Sequence, residues 1–533
     1  MSTGLNAVNK ALTKIPKRAE QQQVEQLRST FVDSGVAAAL AATDNQVLYG
    51  RRGTGKTHAL RYLESEAKEA DDVAVYVDLR TVGSADGLFG ASPAATTDRA
   101  LRLLIDVIGQ VHDALLSVAL EDEDLISDPN FVRRLDRLAE SVTKVEILGE
   151  VEVSEAHGSV ATNETRSSAG VNVSSNPSVE MGAEGTKGSE LSQSQTKTVK
   201  GSERRVVNFS EVARALRDVV SSVGEARVWL LLDEWSSLPG ILQPYLGEFL
   251  VRCVFPLQSV TVKIAAIEQQ SNFRDLAPDG TEVGIELGAD VAANLDLDEF
   301  MVYEQNEDRS REFFKDLLYK HVRAVQEEDG VVPVVQSERE FVRHGFTNAT
   351  AFDELVRAAE GVPRDAINIA SKAALRAGSK AISVPDVRAA ARSWYQADKE
   401  GALRGNPEAL RLLNWVIDDV IRQKRARGFL VEQRASRSDV LLKLYDARVL
   451  HLVRRGYSSP EEPGQRFDVW VIDYGAYVDL INTKLNPTSL LSTTEPDSLD
   501  ESAERVEVPI SDFRAIRRAL LDMQEFERNS PDR

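Results

Sequence analysis

The clearest chemistry in this 533-residue chain lies in Gly50-Arg-Arg-Gly53-Thr-Gly55-Lys56-Thr57. The spacing G-x-x-x-x-G-K-[ST] suits a phosphate cradle: glycines let backbone N–H groups converge, and a helix starting at the lysine adds positive dipole. In such a loop Lys56 meets the β- and γ-phosphates of a nucleoside triphosphate, and Thr57 ligates Mg²⁺. Gly50, Arg51, Arg52, Gly53, Thr54, Gly55, Lys56, Thr57 and His58 are therefore the expected contacts for ATP. The metal also needs a carboxylate, and Leu230-Leu-Leu-Asp233-Glu234 ends an apolar run with two. Asp233 is expected on Mg²⁺, and Glu234 on the attacking water. Weaker signals are Glu268-Gln269, at the end of another apolar run, and Arg364 in Gly361-Val-Pro-Arg364. Each could sense a γ-phosphate; the alternatives are plain surface polarity at 268–269 and an ion pair between Arg364 and a lid acid such as Glu360.

These residues need a scaffold. Gln46–Tyr49, Asp72–Asp78, Arg227–Asp233 and Val260–Ile267 read as strands, nearly continuous in apolar character and separated by helical stretches. That pattern predicts an α/β fold whose parallel sheet is covered on both faces. Helical patterns at Lys56–Glu69, Thr97–Leu120 and Pro129–Val142 fill the gaps, and Ser2–Ala42 reads as helical with Val24, Leu27 and Phe31 on one stripe. From about Lys144 to Arg205 a polar segment interrupts the rhythm. It reads either as a disordered insertion or as a β-hairpin arm for self-assembly or partner contact, given the period-two alternation of Val145/Ile147 and Val151/Val153.

Composition narrows the classes. The net charge of −20 argues against a protein that coats nucleic acid with its whole surface. One cysteine, Cys253, forms no internal disulfide, and six scattered histidines lack metal-ligand spacing. No unbroken apolar run reaches the ~18 residues of a membrane span, and the N-terminus lacks a signal-peptide core. A cytoplasmic protein without membrane contact is expected.

Together the Gly50–Thr57 loop, Asp233-Glu234, Glu268-Gln269 and Gly361-Val-Pro-Arg364 resemble the Walker A, Walker B, sensor 1 and sensor 2 motifs of AAA+ P-loop ATPases. The likeness extends over about residues 40–485, and is greatest to the origin-recognition (replication initiator) branch and the related STAND NTPases. It implies a P-loop NTPase core with a helical lid and a C-terminal winged helix. On that plan residues 1–40 are an N-terminal helical segment, 41–325 the ATPase core with its insertion at 144–205, and 326–400 the lid. Residues 405–490 are the winged helix, and 491–533 a linker with a docking helix on which Phe513, Ile516, Leu520 and Met523 share a face. One departure stands out: no Arg or Lys lies between Arg274 and Arg309, where eleven acids stand instead. An arginine finger must then come from Arg309 or Arg311, and a slow switch fits better than a ring motor.

The C-terminal module reverses the overall charge. Helices are expected at Glu408–Arg425, Ser436–Leu442 and Asp446–Arg455, then a strand at Arg466–Ile472. Arg422 to Arg455 holds ten basic residues and three acids. Arg422, Lys424, Arg425, Arg427, Arg454 and Arg455 are the expected contacts to duplex DNA, unless this face docks on the chain's own acidic stretch. Two functions follow: an ATP-hydrolysing switch coupled to DNA, in replication, transposition or defence against mobile DNA, or a STAND-type, antiphage-like signalling ATPase that activates a partner effector. Self-association is compatible with both. A vestigial nucleotide site is disfavoured, because Lys56, Thr57, Asp233 and Glu234 are all intact.

Overall fold

The computed structural model describes residues 5–19, 22–82, 96–121, 127–143, 145–155, 195–205, 208–276, 280–298, 307–330, 334–422, 427–458, 464–482 and 519–529. Nine strands precede the lid among these residues: β1 (Gln46–Tyr49), β2 (Val73–Asp78), β3 (Val145–Glu155), β4 (Gln195–Arg205), β5 (Val228–Asp233), β6 (Val260–Ala266), β7 (Arg274–Leu276), β8 (Glu282–Gly284) and β9 (Ala292–Asp296). Five of them form the central sheet in the order β2-β5-β6-β1-β9, with every neighbouring pair parallel. The four apolar runs read from the sequence are β2, β5, β6 and β1, four adjacent members of the five. The edge strand β9 escaped prediction, because it is short and sits inside the acidic stretch.

Both sheet faces are covered, as a parallel sheet requires. On one face Val47, Val75, Val77, Leu230, Leu232, Val262 and Ile264 pack against helices that include Thr96–Glu121 and Pro129–Thr143. On the other, Leu48, Ala74, Leu231 and Ala265 meet Leu60 and Leu63 of the helix Lys56–Glu69. By length and composition Asp98–Glu121 is apolar enough to cross a membrane, although no unbroken apolar run in the sequence marks it. In this fold Leu103, Leu104, Val107, Ile108 and Leu115 are buried in the sheet core.

The N-terminal stretch is three short helices, Ala7–Lys14, Val24–Thr30 and Ala37–Leu40, rather than one. Val8, Ala11 and Leu12 enter a helical core with Phe314, Leu318, Phe352, Leu355 and Ile369. The amide of Asn9 donates to the Gly378 and Lys380 carbonyls at 2.8 and 2.9 Å. Beyond the lid comes a second sheet, β11-β12-β10-β13, built from β10 (Gly428–Glu432), β11 (Leu450–Ser458), β12 (Arg466–Ile472) and β13 (Leu520–Leu521).

Two expectations fail here. Asp446–Arg455 is not a helix: only the helix Asp439–Asp446 precedes a turn, and Leu450 onward pairs antiparallel with β12. Tertiary pairing decided this, since Leu450 and Leu452 alternate as a strand requires. Leu520 and Met523 do not share a helix face either. Leu520-Leu521 adds as a strand beside β10, Leu520 is exposed, and Met523 starts a separate helix. Phe513 and Ile516 lie outside the described residues.

The insertion is a ribbon at its two ends. β3 and β4 pair antiparallel from Val145↔Arg205 to Glu155↔Gln195, and residues 156–194 lie outside the described residues.

Candidate nucleotide site

Sheet order assembles the site. β6 lies between β1 and β5, so all three carboxyl ends open on one edge. The phosphate loop leaves β1, Asp233-Glu234 leaves β5, and Glu268-Gln269 leaves β6 between them. Crevices of this kind, at strand carboxyl ends, are where open α/β sheets bind ligands.

In the loop, Gly53 and Gly55 take φ of +90° and +102°, and Gly55 caps the helix Lys56–Glu69 without a side-chain partner. The first N–H groups of that helix are thus left for an anion. Gly53 admits no Cβ, which would stand 2.8 Å from Arg364 Cβ. Lys56 is buried and donates to the Gly50 and Arg51 carbonyls at 2.7 and 3.0 Å. Burial lowers its pKa, against the pull of Glu234, Asp233 and Asp298. The loop's own carbonyls hold the ammonium where phosphate oxygens would compensate it better. Thr54 is buried on the Arg51 carbonyl, Thr57 is half-buried in the first helical turn, and Arg52 is exposed.

Asp233 is fully buried; it accepts the Tyr76 hydroxyl at 2.7 Å and the Glu234 N–H at 2.8 Å. Burial, then the Asp233 charge, raises the Tyr76 pKa. Glu234 takes the left-handed conformation at φ 58°, ψ 39°, which is uncommon for a residue with a Cβ and is stored strain of the kind found at working sites. Its carboxylate lies 3.9 Å from Arg80 and accepts the Ser237 hydroxyl at 3.3 Å. A cradle of free N–H groups, a buried lysine and a buried carboxylate beside a half-exposed one fit ATP and Mg²⁺. Lys56 would hold the phosphates, while Thr57 and Asp233 would hold the metal.

The remaining residues divide. Arg364 reaches the loop: its N–H donates to the Gly53 carbonyl at 3.2 Å, at the start of the lid helix Pro363–Ala377. Glu360, its suggested structural partner, is instead ion-paired with Arg427. Gln269 bonds Glu268 at 3.2 Å, and Glu268 also pairs with Arg455 at 2.8 Å. The His58 side chain faces away from the loop to the Leu27 carbonyl, near His321. Arg309 bonds the Ser34 carbonyl, and Arg311 bonds Asp353 and Asp308, so both are held within the chain.

What the sequence did not foresee is a second wall to the site. Arg51 is buried; its N–H and Nε donate to Asp298 at 2.7 and 2.8 Å. The same guanidinium stands 2.5 Å from His451 Nδ1 and 5.0 Å from the Tyr445 ring centre. Burial opposes its charge most strongly, but Asp298, Tyr445 and Asp365 together hold the pKa above the usual value. His451 is buried, and its Nε2 meets Asp473 at 3.2 Å. Only the neutral ring, accepting at Nδ1 and donating at Nε2, satisfies both partners, consistent with a pKa lowered by burial to about 3. Asp473 also pairs with Lys399, Lys399 with Asp365 at 2.8 Å, and Arg448 with Asp365 and Asp398. Gln270 donates to Asp446 at 2.7 Å.

The basic stretch therefore turns partly inward. Arg427 and Arg448 are buried in ion pairs, and Arg455 meets the β6 end. Their ion pairs include Glu360, Asp365, Asp398 and Glu268, and from the acidic stretch 275–308 the charge of Asp296 also acts on Arg455. Arg434, Arg437, Lys443 and Arg454 stay exposed. Lys424 and Arg425 lie outside the described residues, and Arg422 ends the described part of its helix.

The ORC-CDC6-like family model matches residues 16–80, the segment that carries the phosphate loop and β1 to β2. No protein with a curated description matches the sequence. Among solved structures, Cdc6p from Pyrobaculum aerophilum aligns at 14% identity and TM-score 0.32, over 89% of this chain and 97% of that one. The Walker-type ATPase paby2304 of Pyrococcus abyssi aligns at 12% identity and TM-score 0.39, over 88% and 99%. The resemblance read from the motifs is thus matched by a family model over the phosphate-loop segment, and the parallel sheet around it is that of an α/β P-loop NTPase.

Proposed function

We propose that this chain, a P-loop NTPase with an ORC-CDC6-like segment at its phosphate loop, is an ATP-operated switch whose C-terminal module is released when nucleotide fills the loop. The contact that carries the proposal is Arg51 to His451. One arginine belongs both to the loop that would wrap ATP and, through His451 and Asp473, to a buried ion network in the module. A triphosphate arriving at Gly50–Thr57 brings negative charge that competes with Asp298 for Arg51 and with the loop carbonyls for Lys56. Thr57 and Asp233 would hold Mg²⁺, which screens the β- and γ-phosphates. Glu234 would orient water for slow hydrolysis, and Arg364, already on the loop, would register the γ-phosphate. Hydrolysis then resets the docked state.

Duplex DNA is the partner we infer for the released module. Arg434, Arg437, Lys443 and Arg454 are exposed already, and release would add Arg448 and Arg427 and free the exposed Arg455 from Glu268, a cation cluster suited to backbone phosphates. The inward ion pairs equally favour a second reading, a signalling ATPase whose module frees a protein effector.

Hydrogen exchange tests the switch. ATP should raise exchange over residues 445–458 in the wild type and in Glu234→Gln, where hydrolysis stops but binding persists, and not in Lys56→Ala. Tight ATP binding with unchanged exchange there overturns release. For the partner, duplex affinity of Glu234→Gln with ATP should fall with salt at a log–log slope of about −0.9 per phosphate contacted. No duplex binding at low salt leaves the effector reading.

A further inference from the structure

The paired strands β3 and β4 form a sheet of their own, of two strands, among the described residues. A lone two-stranded ribbon is marginally stable in water, and each of its outer edges presents unpaired N–H and C=O groups that template another strand. This one is eleven residues long on each side. Its two strands differ sharply in charge. β3, VEILGEVEVSE, has four acids and no Lys or Arg, while β4, QTKTVKGSERR, has four basic residues and one acid. Register already sets Glu146 opposite Arg204 and Glu150 opposite Lys200 within the chain.

We infer that the ribbon joins copies of this protein edge to edge, the acidic β3 edge of one molecule pairing antiparallel with the basic β4 edge of the next. Stacking ribbons in one orientation repeats the internal pattern, β3 up and β4 down, so the same opposite-charge pairs recur between molecules. Like edges repel: β3 against β3 sets four acids against four, and β4 against β4 sets the basic residues together. The contact is therefore head-to-tail, the kind that builds rings or filaments rather than closed two-fold dimers. Its basis is independent of the nucleotide reading.

Full-length Glu150→Cys and Lys200→Cys test it, since the only native thiol, Cys253, is buried. Mixing the two under mild oxidation should give a disulfide-linked dimer that neither gives alone. Replacing 145–205 by a short glycine-serine linker, which fits because Val145 and Arg205 are partners, should abolish self-association in sedimentation velocity. Dimers of Glu150→Cys alone, or no mixed dimer, overturn the inference. So does unchanged sedimentation after the replacement.

Discussion

The phosphate loop and the C-terminal module are both held by charged residues, and they differ in how those charges are satisfied. Around Gly50–Thr57 the backbone is set by its neighbours in sequence: a strand ends, glycines turn at positive φ, and a helix begins, with Arg51 alone reaching to distant partners. Lys56 and Asp233 are buried but are satisfied within the loop or within their own sheet. In the module, Arg427, Arg448 and His451 find their partners on the lid and the loop, at sequence separations of 67, 83 and 400 residues. Local spacing therefore fixes the loop's shape, while the role of the module's arginines depends on what they dock against.

The largest expected effect breaks the module's side of that contrast. Asp365→Asn leaves Lys399 and Arg448 buried with one partner fewer, and removing one member of a buried ion network costs about 3–5 kcal/mol. Native-state hydrogen exchange over 450–458 should report that loss, and an unchanged opening free energy would show that the network adds nothing. The loop's side is tested by Lys56→Ala, which should weaken ATP binding by about 100-fold or more, about 2.7 kcal/mol, with the fold intact by circular dichroism. Equal ATP affinity for wild type and variant would remove the site.

Acid sharpens the comparison. His451 has its folded pKa lowered from 6.5 to about 3, so between those values the unfolded or undocked ring binds a proton that the docked ring does not. Stability of the docked module is therefore present near neutrality and lost as pH falls below about 6.5, at up to about 1.4 kcal/mol per pH unit for one proton. His451→Gln should flatten that slope over 445–458, measured by hydrogen exchange between pH 6 and 5, and an identical slope would assign the proton elsewhere. The smallest effect belongs to Arg455→Ala. Its pair with Glu268 is half-exposed, so docking should weaken by only about 0–1 kcal/mol. A loss of several kcal/mol would mean that Glu268 anchors the module.

The sequence by itself determined four of the five sheet strands and the strand–glycine loop–helix turn at Gly50–Thr57. Four near-continuous apolar runs become parallel strands because burial on both faces demands that composition, and the loop's glycines and lysine act within eight residues of chain. Arg364 was legible too, since a Gly-x-Pro turn sets it at a helix start. Tertiary structure alone decided β9, the strand at Leu450, the inward turn of Arg427 and Arg448, and the Arg51–His451 contact. A carboxylate 83 residues away leaves no periodic trace around an arginine, and composition reads the same whether a guanidinium faces water, phosphate or a buried aspartate. Which of these it meets is set by the packing of one unit against another, where desolvation forces every buried charge to find a partner.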